Sequence, residues 1–162
     1  MSKELNNAAA GALAGIAGGL ALGGAAQIIY NFTTPEAIEK EQKIEPRHPF
    51  IVLAQKLETL AGREKSDYLE KVLEATVITV TSASTGALYS SVEKKLPGNW
   101  LAGAVLFGTT FWLVDDEGLG SAMGLVGDNT KYPAEAHVRG LLAHIVFGVV
   151  TAAVYRSLTK GL

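Results

Sequence analysis

The sequence AAAGALAGIAGGLALGGAAQII, residues 8–29, contains no charged side chain. As an α-helix, a stretch of this length extends about 33 Å, enough to cross the roughly 30 Å hydrocarbon core of a bilayer. Small residues four positions apart share one face of a helix and let a second backbone approach closely. The stretch therefore predicts a membrane-crossing helix that packs against other helices through its glycine face, Gly11, Gly15, Gly19 and Gly23.

The composition fits one domain built from closely packed helices. The 162 residues include 48% hydrophobic but only 7% aromatic side chains. A net charge of −2 without a basic cluster argues against a nucleic-acid partner, because phosphate binding requires concentrated lysine and arginine. Because the chain has no cysteine, it offers no disulfide, no thiolate metal ligand and no cysteine nucleophile.

Three further apolar segments follow the first. The third begins and ends near tryptophan, as membrane interfaces prefer, and the fourth is flanked by arginine. In the loop of residues 31–71, prolines and apolar spacing predict short amphipathic helices outside the membrane. We therefore predict an all-α fold, a single-domain four-helix transmembrane bundle with spans at residues 8–29, 72–92, 97–114 and 138–158.

Two other interpretations of the first segment stay open. Gly24 and Ala26 fit the small-residue cleavage site of a secretory signal, although the apolar run is longer than such signals usually have. The chain could also be a soluble helical protein, because alanine and glycine are weakly apolar and the mean hydropathy is only +0.23. Recovery in the supernatant after lysis without detergent would favour the soluble form.

The distribution of charge predicts the orientation in the membrane. Four crossings place both termini on one side, where lysine and arginine outnumber acidic residues, and the last loop on the other side is acidic. By the positive-inside rule, both termini are expected in the cytoplasm. The expected partners are the lipid bilayer and either further copies of the chain or a larger membrane complex.

The fourth segment combines an arginine, a histidine and a phenylalanine-glycine pair, and it ends in a tyrosine-arginine pair. A glycine-rich first segment and a proline-broken loop precede it. The residues concerned are Arg139, His144, Phe147, Gly148, Tyr155, Arg156, Pro46 and Pro49. In this layout the chain resembles the YagU-like family of small bacterial inner-membrane proteins. The resemblance implies four membrane helices in the cytoplasmic membrane and an undefined biochemical role, with no catalytic residues to transfer.

A weak internal similarity relates the two halves of the chain. The tripeptide AGA occurs at residues 10–12 and 102–104, and Tyr89 aligns with Tyr155. This pattern is compatible with a 2+2 repeat of parallel topology, because each unit contains an even number of crossings.

Ionisable side chains at the outer ends of the predicted spans form the candidate functional site. Such groups are costly inside a membrane and are therefore functional candidates. Negative charge at the end of the third span also opposes the helix dipole, so that an arginine, a protonated histidine, a cation or water is expected to compensate it. The predicted topology brings six of these groups to one depth, Glu74, Asp115, Asp116, His137, Arg139 and His144.

Each of these residues also has a purely structural interpretation. His144 faces a row of small residues that includes Gly140 and Gly148, where it could be a neutral imidazole bonded to a hydroxyl such as that of Thr79 or Ser82. The acids could form a solvated rim or bind a cation, and Glu135 is spaced to pair with Arg139 along one helix. The sequence predicts no metal or cofactor.

These patterns lead to two functional hypotheses for a membrane protein. The favoured one is a structural or accessory component of a membrane assembly, because no nucleophile, base and orienting acid are spaced as in an enzyme. The alternative is a transporter or channel that uses the outer polar cluster for protons, small ions or solutes.

Overall fold

The computed structural model describes residues 3–44, 47–62 and 66–160, with side chains from Asn6 onward. Within these ranges the fold is all-α, without a strand. The helices are α1 (Lys3–Tyr30), α2 (Pro35–Ile44), α3 (Pro49–Leu60), α4 (Asp67–Val92), α5 (Trp100–Trp112) and α6 (Ala134–Thr159). Short 3₁₀ turns occupy Glu93–Lys95 and Asn129–Lys131.

Helix α5 differs at both ends from the predicted third span. The side chain of Asn99 accepts hydrogen bonds from the N–H groups of Leu101 (3.1 Å) and Ala102 (3.0 Å), so that the helix begins at Trp100 and not at residue 97. At its other end the chain continues as a π-helix, Leu113–Gly120. The acidic residues that were expected to close the span therefore lie within a wider helical turn, a feature that is frequent at functional sites.

Helix α1 packs against both α4 and α6, and α5 packs against α6. The contact of α1 with α4 is a backbone contact between Gly15 and Gly86: a Cβ atom built at Gly15 would lie 2.8 Å from the Cα atom of Gly86. Gly11 meets the same part of α4, and Gly19 meets Ser82. Gly23 departs from the prediction, because a Cβ atom there would meet nothing within 4 Å.

Helices α5 and α6 approach each other in the same manner. A Cβ atom at Gly148 would lie 2.9 Å from the backbone nitrogen of Gly108 and would also meet the carbonyl oxygen of Ala104. A Cβ atom at Gly108 would in turn meet the carbonyl group of His144. Glycine thus sets the distance between backbones in both helix pairs.

An aromatic core closes the end of the molecule where α6 ends. The ring of Tyr89 on α4 lies 5.1 Å from that of Phe107 on α5 and 5.7 Å from that of Tyr155 on α6, in edge-to-face geometry. Phe147 and the alanines of α1 complete this buried cluster. Because this end is filled, space for a ligand lies toward the other end.

By length and composition, two helices of the described chain could cross a membrane: Asn6–Tyr30 and Ala134–Thr159. They correspond to the first and fourth predicted spans. Helix α5 has only 13 residues, and α4 begins with an acidic, polar turn. The four-span bundle therefore stays a prediction.

Candidate functional site

A cavity of about 730 Å³ lies between the helices at the end opposite the aromatic core. Its walls come from the second half of α1, the middle of α4, the end of α5, the first half of α6 and the π-helix. The segment before and within α3 covers one side, and Lys56 on α3 donates hydrogen bonds to the carbonyl groups of Met123 (2.7 Å) and Gly124 (2.9 Å). These two bonds hold the loop after the π-helix against α3.

Two acids of the π-helix and one histidine of α6 meet on the cavity wall. Donor atoms of Asp115, Asp116 and His144 all lie within 4.8 Å of one another, a set that could hold a metal ion although the sequence predicted none. The Nδ1 atom of His144 is 3.7 Å from Asp116 Oδ2 and 2.9 Å from the carbonyl oxygen of Gly140. Because a carbonyl only accepts, Nδ1 carries the proton and donates it there, instead of to the hydroxyl partner expected from sequence.

Gly140 allows this cluster to form. A Cβ atom at this position would lie 2.9 Å from both Asp116 Oδ2 and Trp112 Nε1. Any larger residue would therefore displace the carboxylate and the indole together. Gly140 was predicted to pack against a second helix. Its close neighbours are instead side chains of the cavity wall.

The partly enclosed position changes the acidity of both aspartates, which follow the predicted third span. Loss of solvation raises the pKa of the Asp115 carboxyl, and the nearby His144 opposes this shift. The same loss of solvation raises the pKa of Asp116, again opposed by His144, while the neighbouring Asp115 adds to the increase. The protein therefore holds two carboxyl groups whose ionised forms would be favoured by an added positive charge.

Arg139 joins three elements at the cavity. Its guanidinium group forms an ion pair with Glu41 on α2 and lies over the ring of Tyr30 on α1, 5.2 Å from the ring centre. The two charged side chains are only 14% and 21% exposed. Arg139 thus binds a residue 98 positions away, and the predicted pair with Glu135 is replaced by this long-range contact.

The other two predicted polar residues each have an ionisable partner. His137 Nδ1 lies 2.6 Å from Glu117 Oε1 at the cavity, and His48 Nδ1 lies 3.2 Å from Glu74 Oε1. Of this second pair, His48 lines the cavity, whereas Glu74 contacts His48 without lining the cavity itself. The structure therefore brings five of the six predicted polar residues to one cavity wall and places the sixth next to it.

Charge on the cavity wall is not balanced. The lining includes four carboxylates, but only two guanidinium groups, those of Arg47 and Arg139. Glu41 pairs with Arg139 and Glu117 with His137, whereas Asp115 and Asp116 face His144, whose Nδ1 also contacts the carbonyl oxygen of Gly140. The cavity is therefore suited to a positively charged group near Asp115 and Asp116.

Sequence reasoning missed several groups at the site. Glu41, Tyr30 and His48 belong to the first loop or its border, and Trp112 had been interpreted only as an interfacial residue. None of them carries a local signal, because each reaches the cavity through contacts between elements that are distant in sequence.

The fold and the site define an all-helical protein with two helices that could cross a membrane and a polar cavity between its helices. Comparison with protein family models, curated proteins and solved structures gives no match. The similarity to the YagU-like family stays a prediction.

Proposed function

We propose that this chain is a multi-pass protein of the bacterial cytoplasmic membrane, with α1, α4, α5 and α6 as its membrane helices and both termini in the cytoplasm. Two of these helices have the length and composition to cross a bilayer. Large apolar side chains of α1 are also exposed, with Leu20 at 76% and Ile28 at 61%. Lipid would cover these exposed apolar side chains, whereas proteins in water rarely expose large apolar patches.

Within this setting, the proposed activity is the binding and transport of a small cationic or polar solute. The observation that carries the proposal is the cavity with its excess of carboxylates. Its volume lies in the range of small-molecule sites. Burial disfavours the ionised form of a carboxylate, and a positive group placed close to it stabilises that form. Asp115 and Asp116 are the residues expected to bind that group.

The proposal predicts solute flux that depends on these two carboxylates. Purified protein is reconstituted in vesicles, and uptake of protons, alkali cations and small amines is measured. The double variant D115N/D116N keeps side-chain size and is expected to lower flux at least tenfold. The control is D67N, because Asp67 is an exposed residue in the first turn of α4 and does not line the cavity. Equal flux through both variants and the original chain would contradict the proposal.

A structural or accessory role is the second candidate, and one observation favours it. The outer face of α5 has an apolar groove that includes Leu101, Val105 and Leu106, and no other helix of the described chain covers it. Another copy of the chain, a partner helix or lipid would bury this face. Vesicles with the original chain that show no more flux than empty vesicles would leave this role as the better explanation.

A further inference from the structure

Several hydrogen-bonding groups of the cavity residues lack a partner. The indole Nε1 of Trp112 and the Nη1 of Arg139 are buried donors without an acceptor, and Glu41 Oε2 is a buried acceptor without a donor, as far as the structure describes the chain. Buried polar groups are nearly always paired in folded proteins. These groups therefore indicate what a bound molecule would contribute.

A bare cation meets only part of this demand. It would balance Asp115 and Asp116, but it cannot accept a hydrogen bond from Trp112 or Arg139. An oxyanion can accept from both types of donor, and it binds arginine especially well. A ligand that carries both a positive group and a negative group would satisfy the carboxylates and the unpaired donors of the cavity.

The spacing of these groups and the volume of the cavity indicate the kind of ligand that would fit. Trp112 Nε1 and Asp116 Oδ2 border the same glycine, Gly140, so that the donor and the acid are close neighbours. The cavity of about 730 Å³ is far larger than a metal ion needs. Phe111 and Phe147 are among its apolar lining residues, which suits a short carbon skeleton.

We propose that the cavity binds a small zwitterion, with its ammonium group at Asp115 and Asp116 and its carboxylate or phosphate at Trp112 and Arg139. This inference rests on the proposed function, in which the cavity takes up a small solute. The shared chemistry, an ammonium and an oxyanion a few bonds apart, occurs in free amino acids and in the phosphoethanolamine headgroup of a lipid.

The test compares three probes on the full chain in nanodiscs that contain only phosphatidylglycerol. Calorimetry measures the binding of phosphoethanolamine, of ethanolamine and of inorganic phosphate. The zwitterion is expected to bind at least tenfold more tightly than either half. The variant W112F removes the Nε1 donor but keeps the ring, and should weaken phosphoethanolamine about tenfold without changing ethanolamine. D115N should weaken both amines. The matched control is W100F, because Trp100 lies at the other end of α5 and contacts Arg156.

Each outcome decides between the two proposals. If ethanolamine binds as tightly as phosphoethanolamine and W112F changes neither, the zwitterion is overturned while the cation cavity stands. If none of the three probes binds, the zwitterion is overturned, and if D115N/D116N also leaves flux unchanged, both proposals fail. When the zwitterion does bind, discs with phosphatidylethanolamine identify the source. Competition with free phosphoethanolamine supports a headgroup ligand, and undiminished binding supports a free solute.

Discussion

The substitution Gly15→Ala is expected to destabilise the protein strongly, lowering the free energy of unfolding by about 3 kcal/mol. A Cβ atom at this position would lie 2.8 Å from both the Cα and the nitrogen of Gly86 and would also meet the carbonyl oxygen of Ser82. All of these atoms are backbone, so that relief requires α1 and α4 to move apart. Denaturant unfolding in detergent micelles, followed by tryptophan fluorescence, measures the change.

Gly23→Ala is the matched control, because it changes the same residue type in the same row of α1. A Cβ atom there meets nothing within 4 Å, and alanine favours helix over glycine. The control should therefore raise the free energy of unfolding by up to about 1 kcal/mol. The two substitutions should have opposite signs, and equal effects would contradict the packing of α1 on α4.

The second large effect is expected for Glu41→Gln, which should destabilise the protein by about 2 kcal/mol or more. The side chain of Arg139 is only 14% exposed, and the substitution removes its carboxylate partner. Removing one member of a buried ion pair costs more than the pair itself contributes, because the remaining charge stays desolvated. The same unfolding measurement applies, and the double variant E41R/R139E should recover part of the loss.

The control for this prediction lies on the same helix. Glu39 pairs with Lys43 at 2.6 Å, but the two side chains are 69% and 72% exposed. Exposed ion pairs contribute little, because water and salt screen them. Glu39→Gln should therefore leave stability unchanged. Similar losses for the Glu39 and Glu41 variants would show that Arg139 does not depend on its contact with α2.

Local patterns in the sequence predicted the helical class and the positions of several helices. The apolar runs predicted α1 and α6, and the prolines and apolar spacing of the first loop predicted its short helices, which are α2 and α3. The predicted third span begins at residue 97, whereas α5 begins at Trp100, where the side chain of Asn99 caps the helix. The π-helix has no recognisable local signal, because the same residues are compatible with an ordinary helix end.

The candidate site shows more clearly that local sequence patterns do not reveal contacts between distant elements. The predicted topology placed His144 and the acids after α5 at one depth because both follow from predicted helix ends, and in the structure Asp115, Asp116 and His144 lie close together. The predicted topology could not identify the partner of Arg139, because Glu41 lies on an element whose direction depends on tertiary contacts. Spacing arguments only compare neighbours along a helix, and they therefore favoured Glu135.

The central claim is that a membrane-embedded chain contains a water-accessible cavity. Because the sequence has no cysteine, single cysteines report accessibility directly. Gln27 lines the cavity, whereas Leu20 is 76% exposed on α1 outside it. In intact vesicles, Q27C should react with a membrane-impermeant maleimide and L20C should not, because lipid covers Leu20. Equal reaction at both positions would contradict the account.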